Sequence, residues 1–213
     1  YMRGVFPEVP YIAKGEEHRL ERLEVRDLTY HYPGSERGIE GIDLSLERGS
    51  FTVITGRIGS GKTTLLRVLL GLLPKNAGEI RWNGELVDDP ATFLVPPRAA
   101  YVPQVPRLFS ESLKDNILMG LPEEHVDIDG NIHSAVMEDD LGQMKEGLAT
   151  IVGPKGVRLS GGQAQRVAAA RMFVRDAELL VFDDLSSALD VETEQQLWER
   201  LFERRNATCL VVS

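Results

Sequence analysis

The fold is decided by the segment Gly56-Arg57-Ile58-Gly59-Ser60-Gly61-Lys62-Thr63-Thr64. It follows a β-like run at residues 50–55 and precedes a leucine-rich run at residues 65–70. The segment fits the pattern G-x-x-x-x-G-K-[ST], which marks a phosphate-binding loop when it stands between a strand and a helix. Its glycines accept unusual backbone angles and carry no Cβ, so successive N–H groups can surround a phosphate. We therefore predict a nucleotide site in this segment, the phosphate loop.

The parts of the phosphate loop have separate predicted roles. The helix that follows contributes the positive end of its dipole. Lys62 is predicted to reach the β- and γ-phosphates, and the Thr63 hydroxyl to be a ligand of Mg²⁺. The alternative is a glycine-rich turn before a core helix, which we disfavour because the full pattern is rare at average composition.

The composition is that of a soluble, globular and acidic chain. Its 213 residues are 42% apolar and carry a formal charge of −9, which argues against a nucleic-acid surface. A single cysteine, Cys209, excludes an intrachain disulfide framework and is predicted to be a small core residue. The histidines lack metal-ligand spacing and are predicted to lie on the surface or in loops (His18, His31, His125 and His133).

Strand-like and helix-like patterns alternate along the chain. Residues 1–21 contain prolines and charges and are predicted to be an extended linker. Asn83-Gly84 predicts a hairpin, and the acidic, helix-forming residues 112–147 predict an inserted helical subdomain. Residues 179–182 and 209–212 are fully apolar, as in a parallel sheet covered on both faces. The pattern predicts an α/β fold with a P-loop core.

Two carboxylates end the apolar segment Leu180-Val181-Phe182-Asp183-Asp184. At the end of a buried strand, a carboxylate can hold Mg²⁺ or its water shell against a phosphate loop, and Asp183 is the predicted metal residue. Asp184 is predicted to orient or deprotonate the attacking water. The alternative, an acidic loop after a core strand, is less favoured because the phosphate loop accompanies this segment.

A second glycine-rich helix start is Leu159-Ser160-Gly161-Gly162-Gln163, the signature loop, which precedes an alanine-rich run at residues 164–172. Ser-Gly-Gly at a helix N-terminus is a second anion site. In this order and spacing the motifs resemble the nucleotide-binding domain of ATP-binding cassette (ABC) transporters, over about residues 20–213.

The resemblance implies an α/β P-loop (RecA-like) NTPase core with an antiparallel β subdomain and an inserted α-helical subdomain. The implied ABC ATPase domain spans residues 22–213 after the linker, with the helical subdomain at about residues 112–172. The implied cofactors are ATP and Mg²⁺. All of the phosphate loop is implied to contact ATP (Gly56, Arg57, Ile58, Gly59, Ser60, Gly61, Lys62, Thr63 and Thr64).

In that family two such domains dimerise head to tail, and the signature loop of one covers the γ-phosphate held by the other. The resemblance thus implies that Ser160, Gly161, Gly162 and Gln163 serve a partner's nucleotide. The implied partners are a second ABC ATPase domain, in a homo- or heterodimer, and the transmembrane domain of a transporter, with no nucleic acid. The implied location is the cytoplasmic face of the inner membrane.

Further positions match the family residue by residue. Tyr32 corresponds to the aromatic residue that stacks on adenine, with Tyr30 as the second choice and a strand-edge aromatic as the alternative. Gln104 matches the glutamine that contacts Mg²⁺ or water, and Asp190 matches a carboxylate at the dimer interface. The implied catalytic residues are Asp184, Gln104 and Lys62.

The branch of the family indicated by the sequence is the exporters. Residues 108–117 and 150–153 resemble the corresponding exporter segments, although Pro154 stands where an acidic residue is usual. The alternative is a soluble ABC ATPase without a membrane partner.

Two departures from the family concern hydrolysis. Asp184 stands where competent members have glutamate, and the missing methylene withdraws the carboxylate by about 1.5 Å. We therefore hypothesise a slow site, as in a catalytically weak partner domain of a heterodimeric transporter. The sequence also ends at Ser213, before the position of the family's γ-phosphate histidine. With its C-terminal end truncated there, the fragment is expected to bind ATP–Mg²⁺ but hydrolyse it poorly.

Overall fold

Two four-stranded sheets and seven α-helices make up the computed structural model, which describes residues 7–203 and 207–213. In chain order the strands are β1 (Arg22–His31), β2 (Gly38–Glu47), β3 (Phe51–Ile54), β4 (Ala77–Trp82), β5 (Glu85–Leu86), β6 (Ala99–Val102), β7 (Leu179–Asp183) and β8 (Thr208–Val212). The helices are α1 (Lys62–Leu69), α2 (Pro90–Phe93), α3 (Leu113–Leu118), α4 (Ile128–Ser134), α5 (Glu138–Gln143), α6 (Gly161–Phe173) and α7 (Val191–Glu203). Short 3₁₀ turns occur at Glu16–His18, Glu123–His125, Gly147–Ala149 and Leu185–Ser187.

The described residues form two compact units. The sheet unit contains residues 14–101, 177–184 and 207–213, and the helical unit contains residues 7–13, 102–176 and 185–203. The domain boundaries predicted from the sequence, at 22–213 and about 112–172, stay predictions. None of the described helices is long and apolar enough to cross a bilayer.

A parallel sheet with the strand order β3-β8-β7-β6 carries the phosphate loop. Every residue of β7 and β8 is buried, and apart from the terminal Asp183 and Thr208 both strands are apolar, as in a sheet covered on both faces. The register pairs both Ile54 and Asp183 with Val212. The end of β3 and the end of β7 therefore lie level with each other at the carboxyl edge of the sheet, where ligands bind in open α/β sheets.

The antiparallel sheet of the same unit has the order β2-β1-β4-β5. Trp82 pairs with Glu85, so Asn83-Gly84 is a two-residue hairpin turn, as predicted. Both turn residues have positive φ (53° and 86°), which suits asparagine and glycine and matches the twist of the strands. This sheet, α1 and the parallel sheet share one apolar core.

The segment before β1 packs onto the sheet unit from residue 14 onward. Leu20 is fully buried and donates its N–H to the Glu178 carboxylate at 2.9 Å, while Lys14 forms an ion pair with Glu178 at 3.3 Å. The prediction that the histidines lie on the surface or in loops is wrong for His18, which is 8% exposed. Its Nδ1 accepts the Gly15 N–H at 3.0 Å, so local backbone satisfies a buried imidazole.

Cys209 is buried in β8, as predicted for a small core residue. Burial raises the pKa of its thiol to about 12, which keeps the thiol neutral. Of the remaining histidines, His31 is half-buried at the end of β1, whereas His125 and His133 are exposed as predicted.

The helical unit is organised around α6. Helix α6 is buried around most of its circumference, and most of its buried residues are small or medium-sized (Gln165, Val167, Ala168, Ala169, Ala170, Met172 and Phe173). The alanine-rich sequence both favours the helix and allows neighbouring elements to approach closely. Helices α3 and α4 pack against it.

Candidate nucleotide site

The phosphate loop has the backbone geometry that its glycines predict. Gly59 and Gly61 have φ of 80° and 94°, in the region that favours glycine. A Cβ on Gly61 would lie 2.9 Å from Cγ2 of Ile39 and 3.0 Å from the carbonyl oxygen of Gly38. Gly61 is therefore required both by its backbone angle and by the close approach of β2.

Lys62 begins α1 and folds back over the loop. Its ammonium donates to the carbonyl oxygens of Gly56 at 2.8 Å and of Arg57 at 3.2 Å. The positive charge is thereby held at the mouth of the loop, at the positive end of the α1 dipole. Ile58, at the tip of the loop, is fully exposed. The lysine and the helix start are together suited to binding an anion.

Asp183 lies at the end of β7 and is fully buried. One carboxylate oxygen, Oδ1, accepts from the Thr63 hydroxyl at 2.8 Å. The other, Oδ2, accepts from the Tyr101 hydroxyl at 2.9 Å. Burial, and then the negative charge of Asp183, raise the pKa of Tyr101 to about 12. Tyr101 is therefore a neutral donor to this carboxylate throughout the physiological range.

Tyr101 is a site residue that the sequence analysis did not predict. It lies in β6, which is the neighbour of β7 in the sheet although the two strands are far apart in sequence. The order of strands in a parallel sheet cannot be predicted from a local pattern of sequence. The available signal was a single hydroxyl-bearing side chain in an otherwise apolar strand, Ala99-Ala100-Tyr101-Val102.

The donor set at the edge of the sheet suits a magnesium ion. A threonine hydroxyl and a carboxylate supply hard oxygen ligands, and Mg²⁺ typically binds through one or two such groups plus phosphates and water. Within the described residues there is no cluster of three or more His, Cys, Asp or Glu that could hold a metal on its own. Thr63 and Asp183 thus fit an ion that a nucleotide brings with it.

Asp184 follows β7 directly and has an unusual backbone conformation. Its φ is 55°, in the left-handed region that aspartate tolerates better than most residues, and its N–H donates to the Val212 carbonyl at 3.0 Å. The side chain is half-buried. Left-handed residues outside glycine concentrate at functional sites, where the surrounding structure holds them in place.

Tyr32 lies near the start of α1. Its hydroxyl is 3.2 Å from Oγ1 of Thr64, and its ring packs edge-on against Tyr30 at 5.0 Å. Tyr32 is 36% exposed, whereas Tyr30 is 5% exposed and belongs to the apolar core. Of the two candidates for stacking on adenine, only Tyr32 offers a ring to a ligand.

The signature loop belongs to the helical unit and caps α6. Oγ of Ser160 accepts the Gln163 N–H at 3.2 Å, and the Ser160 N–H is donated to Oε1 of Gln163 at 2.9 Å. This reciprocal pair is a capping box, which fixes the first turn of a helix. A Cβ on Gly162 would lie 3.0 Å from the Ala188 carbonyl, so glycine permits a close approach of the residues that precede α7.

The other two predicted site residues of the helical unit are also placed. Gln104 is exposed, and its carbonyl accepts from Nε2 of Gln165 at 2.6 Å. Asp190 caps the start of α7 by accepting from the N–H and the hydroxyl of Thr193, at 2.9 and 2.8 Å. These hydrogen bonds hold the pKa of Asp190 below its usual value.

The structure thus brings one group of predicted residues together in the sheet unit, namely the phosphate loop, Asp183, Asp184 and Tyr32. The other group, Gln104, the signature loop and Asp190, belongs to the helical unit. The roles assigned to the individual residues stay predictions.

Comparison with known proteins identifies the family. The family model for ABC transporters matches residues 39–187. The ATP-dependent lipid A-core flippase of Pseudomonas fluorescens (strain Pf-5) is 37% identical over 213 residues, which cover 96% of this chain and 35% of the flippase. The flippase of the same name from Pseudomonas aeruginosa (strain PAO1) is 36% identical over 222 residues, covering 99% of this chain and 36% of the flippase.

The structure of a bacterial Atm1-family ABC exporter with ATP bound superimposes with a TM-score of 0.82 at 25% identity, covering 100% of this chain and 38% of that one. This chain spans about a third of the length of the curated relatives it matches. The resemblance and the fold predicted from the motifs are both confirmed. The chain belongs to the ABC transporter family and has the fold of its ATP-binding ATPase domain.

Proposed function

We propose that this domain binds ATP with Mg²⁺ and powers export by a membrane-embedded ABC transporter. The observation that carries the proposal is the 2.8 Å hydrogen bond between Thr63 and the buried Asp183, directly beside the helix start that holds Lys62. A bound Mg²⁺ would neutralise charge on the β- and γ-phosphates. Lys62 and the loop N–H groups bind and orient those phosphates.

Hydrolysis in this proposal relies on Asp184. It follows the Mg²⁺ residue Asp183 directly, and its φ of 55° ends the regular geometry of β7 at this point. From there the carboxylate orients the attacking water and accepts its proton. Gln104, which belongs to the helical unit, is assigned a contact with Mg²⁺ or with water.

The second anion site, at the start of α6, is explained by a head-to-tail dimer. One chain needs only one phosphate loop to bind one nucleotide, yet this chain carries two glycine-rich helix starts. A two-fold axis gives each nucleotide the phosphate loop of one copy and the signature loop of the other. ATP then stabilises the closed dimer because it contacts both copies only when they are together.

The proposal that this domain powers export rests on its similarity to known exporters. A lipid A-core flippase and an Atm1-family exporter both match this domain, at 37% and 25% identity. We propose that the domain supplies the energy step at the cytoplasmic face of the inner membrane, coupled to a transmembrane domain that chooses the cargo. Closing and reopening of the dimer would pass to that membrane part.

A complementation experiment tests the head-to-tail site. Lys62→Ala removes the phosphate-loop cation, and Ser160→Phe fills the signature loop with a bulky ring. Homodimers of either variant contain no complete site, whereas a mixed dimer contains one, formed by the intact phosphate loop of the second variant and the intact signature loop of the first. The mixture should regain up to about half of the wild-type ATPase rate per mixed dimer.

Each variant alone and an equal amount of wild type serve as controls. The rates are measured with the full-length transporter in detergent or vesicles, and fluorescent ATP binding confirms that the Ser160→Phe variant still binds nucleotide. A mixture no more active than the sum of its parts would refute the shared site.

A further inference from the structure

A buried carboxylate in the helical unit lies behind the signature loop. Asp140, in α5, is 7% exposed and accepts from Nε of Arg166 at 2.7 Å and from Nη2 of Arg166 at 2.8 Å. The same carboxylate also accepts from Nε2 of Gln163 at 3.2 Å. Gln163 and Arg166 are three positions apart on α6 and so share one helix face. We call these three residues the Asp140 network.

The network reaches the signature loop through the amide of Gln163. The Nε2 end of this amide donates to Asp140, and the Oε1 end accepts the Ser160 N–H at 2.9 Å. Because a carboxylate can only accept and a backbone N–H can only donate, the amide has one orientation that satisfies both ends. Asp140 therefore fixes the side chain that holds Ser160.

Ser160 in turn sets the donors at the start of α6. Its Oγ accepts from the Gln163 N–H and its carbonyl accepts from the Ala164 N–H at 2.9 Å, so these two helix donors are satisfied internally. Because the Ser160 oxygen accepts an N–H, its own hydroxyl proton points in another direction. This hydroxyl and the N–H groups of Gly161 and Gly162, which precede the first intrahelical donor, are then the donors that the helix start offers to a ligand.

We propose that Asp140 is a positioning residue for the signature loop. It holds Gln163, and through Gln163 it holds the Ser160 hydroxyl and the two glycine N–H groups in the geometry that a partner's γ-phosphate requires. The carboxylate is suited to this task because it is buried and its bond to Arg166 is bidentate, which fixes both position and direction. The inference rests on the head-to-tail function proposed above.

The chain offers a matched control for testing Asp140. Asp139 is its neighbour in α5, carries the same charge and is exposed. Asp140→Asn keeps the size of the side chain but replaces one acceptor oxygen by an N–H₂ group, which opposes the donors of Gln163 and Arg166. Asp139→Asn makes the same change of charge and composition without touching the network.

The first readout is amide hydrogen exchange, measured by NMR on the isolated chain at Gln163 and Ala164, whose N–H groups Ser160 accepts. Asp140→Asn should accelerate exchange at both amides by at least about tenfold, while Asp139→Asn leaves it at the wild-type rate. This readout needs no dimer and no ATP. Equal exchange in the two variants would overturn the inference.

The second readout separates the inference from the proposed function. Both variants are combined with Asp184→Asn, which lowers turnover so that ATP stays bound. Each combined variant should bind fluorescent ATP within about twofold of the Asp184→Asn parent, but the one with Asp140→Asn should dimerise at least about tenfold more weakly than that parent. Dimerisation is measured by sedimentation over a protein dilution series. A dimer as tight as that of Asp139→Asn overturns the inference, whereas a parent that never dimerises with ATP refutes the head-to-tail function and leaves the exchange result to decide the role of Asp140.

A second variant covers the case in which Asp140→Asn does not fold. Gln163→Leu removes the amide but keeps the ion pair between Asp140 and Arg166, so the packing of α5 on α6 is retained. It should reproduce the faster exchange at Ala164 and the weaker dimer. Wild-type exchange at Ala164 in this variant would equally overturn the proposal.

Discussion

The phosphate loop and the signature loop are both glycine-rich helix starts, yet they are held in place in different ways. The phosphate loop is shaped by backbone: Gly59 and Gly61 have positive φ, and β2 packs so closely that Gly61 has no room for a Cβ. The signature loop is shaped by side chains, because a capping box fixes Ser160 and Asp140 fixes the capping glutamine.

The difference indicates which kind of substitution should disrupt the phosphate loop and which should disrupt the signature loop. A loop shaped by backbone is damaged by added volume or by a forbidden φ. A loop shaped by side-chain hydrogen bonds is damaged when a partner is removed, even at a position distant in sequence.

The largest expected effect is that of Gly61→Ala. The new Cβ would meet the Gly38 carbonyl at 3.0 Å in a residue whose φ is 94°, so the loop must move. ATP affinity should fall by at least about 100-fold, because a displaced loop loses several phosphate contacts together. Fluorescent ATP titration measures the loss.

Gly59→Ala is the matched control for Gly61→Ala. Gly59 also has positive φ, but a Cβ there would meet nothing within 4 Å. It should bear only the backbone strain, about 1–2 kcal/mol, and retain most of the binding. If both variants lose binding equally, φ alone and not the packing of β2 shapes the loop.

Asp184→Glu tests whether the sheet unit holds ATP better than it cleaves it. The longer side chain extends the carboxylate by about 1.5 Å toward the water, and general-base catalysis is worth about 10²–10⁴-fold. We expect steady-state ATPase of the full-length protein to rise about 10- to 100-fold, with ATP affinity unchanged. Asp184→Asn is the control and should lower turnover. If Asp184→Glu hydrolyses ATP no faster than wild type, the length of the side chain is not the cause of slow hydrolysis.

The sequence was sufficient wherever a local pattern determines the structure. The phosphate loop, the Asn83-Gly84 hairpin and the fully buried strand β7 each follow from residues adjacent in the chain. Their geometry comes from glycine φ, turn type and burial on both faces, all of which leave a mark in a short window of sequence.

The sequence was insufficient wherever the structure brings distant residues together. Tyr101 reaches Asp183 only because β6 lies beside β7, and Asp140 reaches Gln163 only because α5 packs on the start of α6. Propensity and periodicity carry no information about such neighbours. The prediction for His18 was wrong because the charged segment Glu16-Glu17-His18-Arg19 carries no apolar pattern that would indicate burial.

Tyr101→Phe tests whether a buried carboxylate, Asp183, also depends on a side-chain donor in the sheet unit, as Asp140 does in the helical unit. The change removes only the hydroxyl that donates to Oδ2 of Asp183 at 2.9 Å, and leaves a buried carboxylate oxygen without that donor. We expect a loss of about 1–2 kcal/mol in the free energy of unfolding, measured by urea denaturation at pH 7. Weaker coupling between Mg²⁺ and ATP binding should accompany it. Wild-type stability would mean that Thr63 alone holds Asp183.

The pH dependence of Tyr101→Phe gives a second check with a fixed sign. The pKa of Tyr101 is raised from 10.0 to about 12, so between these values the unfolded chain loses the phenolic proton and the folded chain keeps it. The stability that Tyr101 contributes is therefore complete below pH 10 and is lost as pH rises toward 12. The difference in unfolding free energy between wild type and variant should narrow over this range. Cys209 titrates there as well but is present in both proteins.

The smallest effect is expected at Asp190, where two substitutions separate a helix cap from an interface role. Asparagine caps a helix as well as aspartate does, so Asp190→Asn should keep the thermal stability of the wild type, whereas Asp190→Ala loses both bonds to Thr193 and should melt slightly earlier. Because its pKa is lowered, Asp190 contributes stability above the usual aspartate pKa that is lost as pH falls through the lower, folded value, and Asp190→Asn abolishes this acid dependence.

ATP-dependent dimerisation then decides between the two roles of Asp190. If the carboxylate acts only as a cap, Asp190→Asn dimerises like wild type. Asp190 then stabilises only the start of its own helix, as the capping box of Ser160 does for α6. If the charge itself meets a partner, Asp190→Asn dimerises more weakly at unchanged melting temperature. The second result would extend the contrast between the two loops, because the side chains of the helical unit would then contribute directly to the interface as well as shaping it.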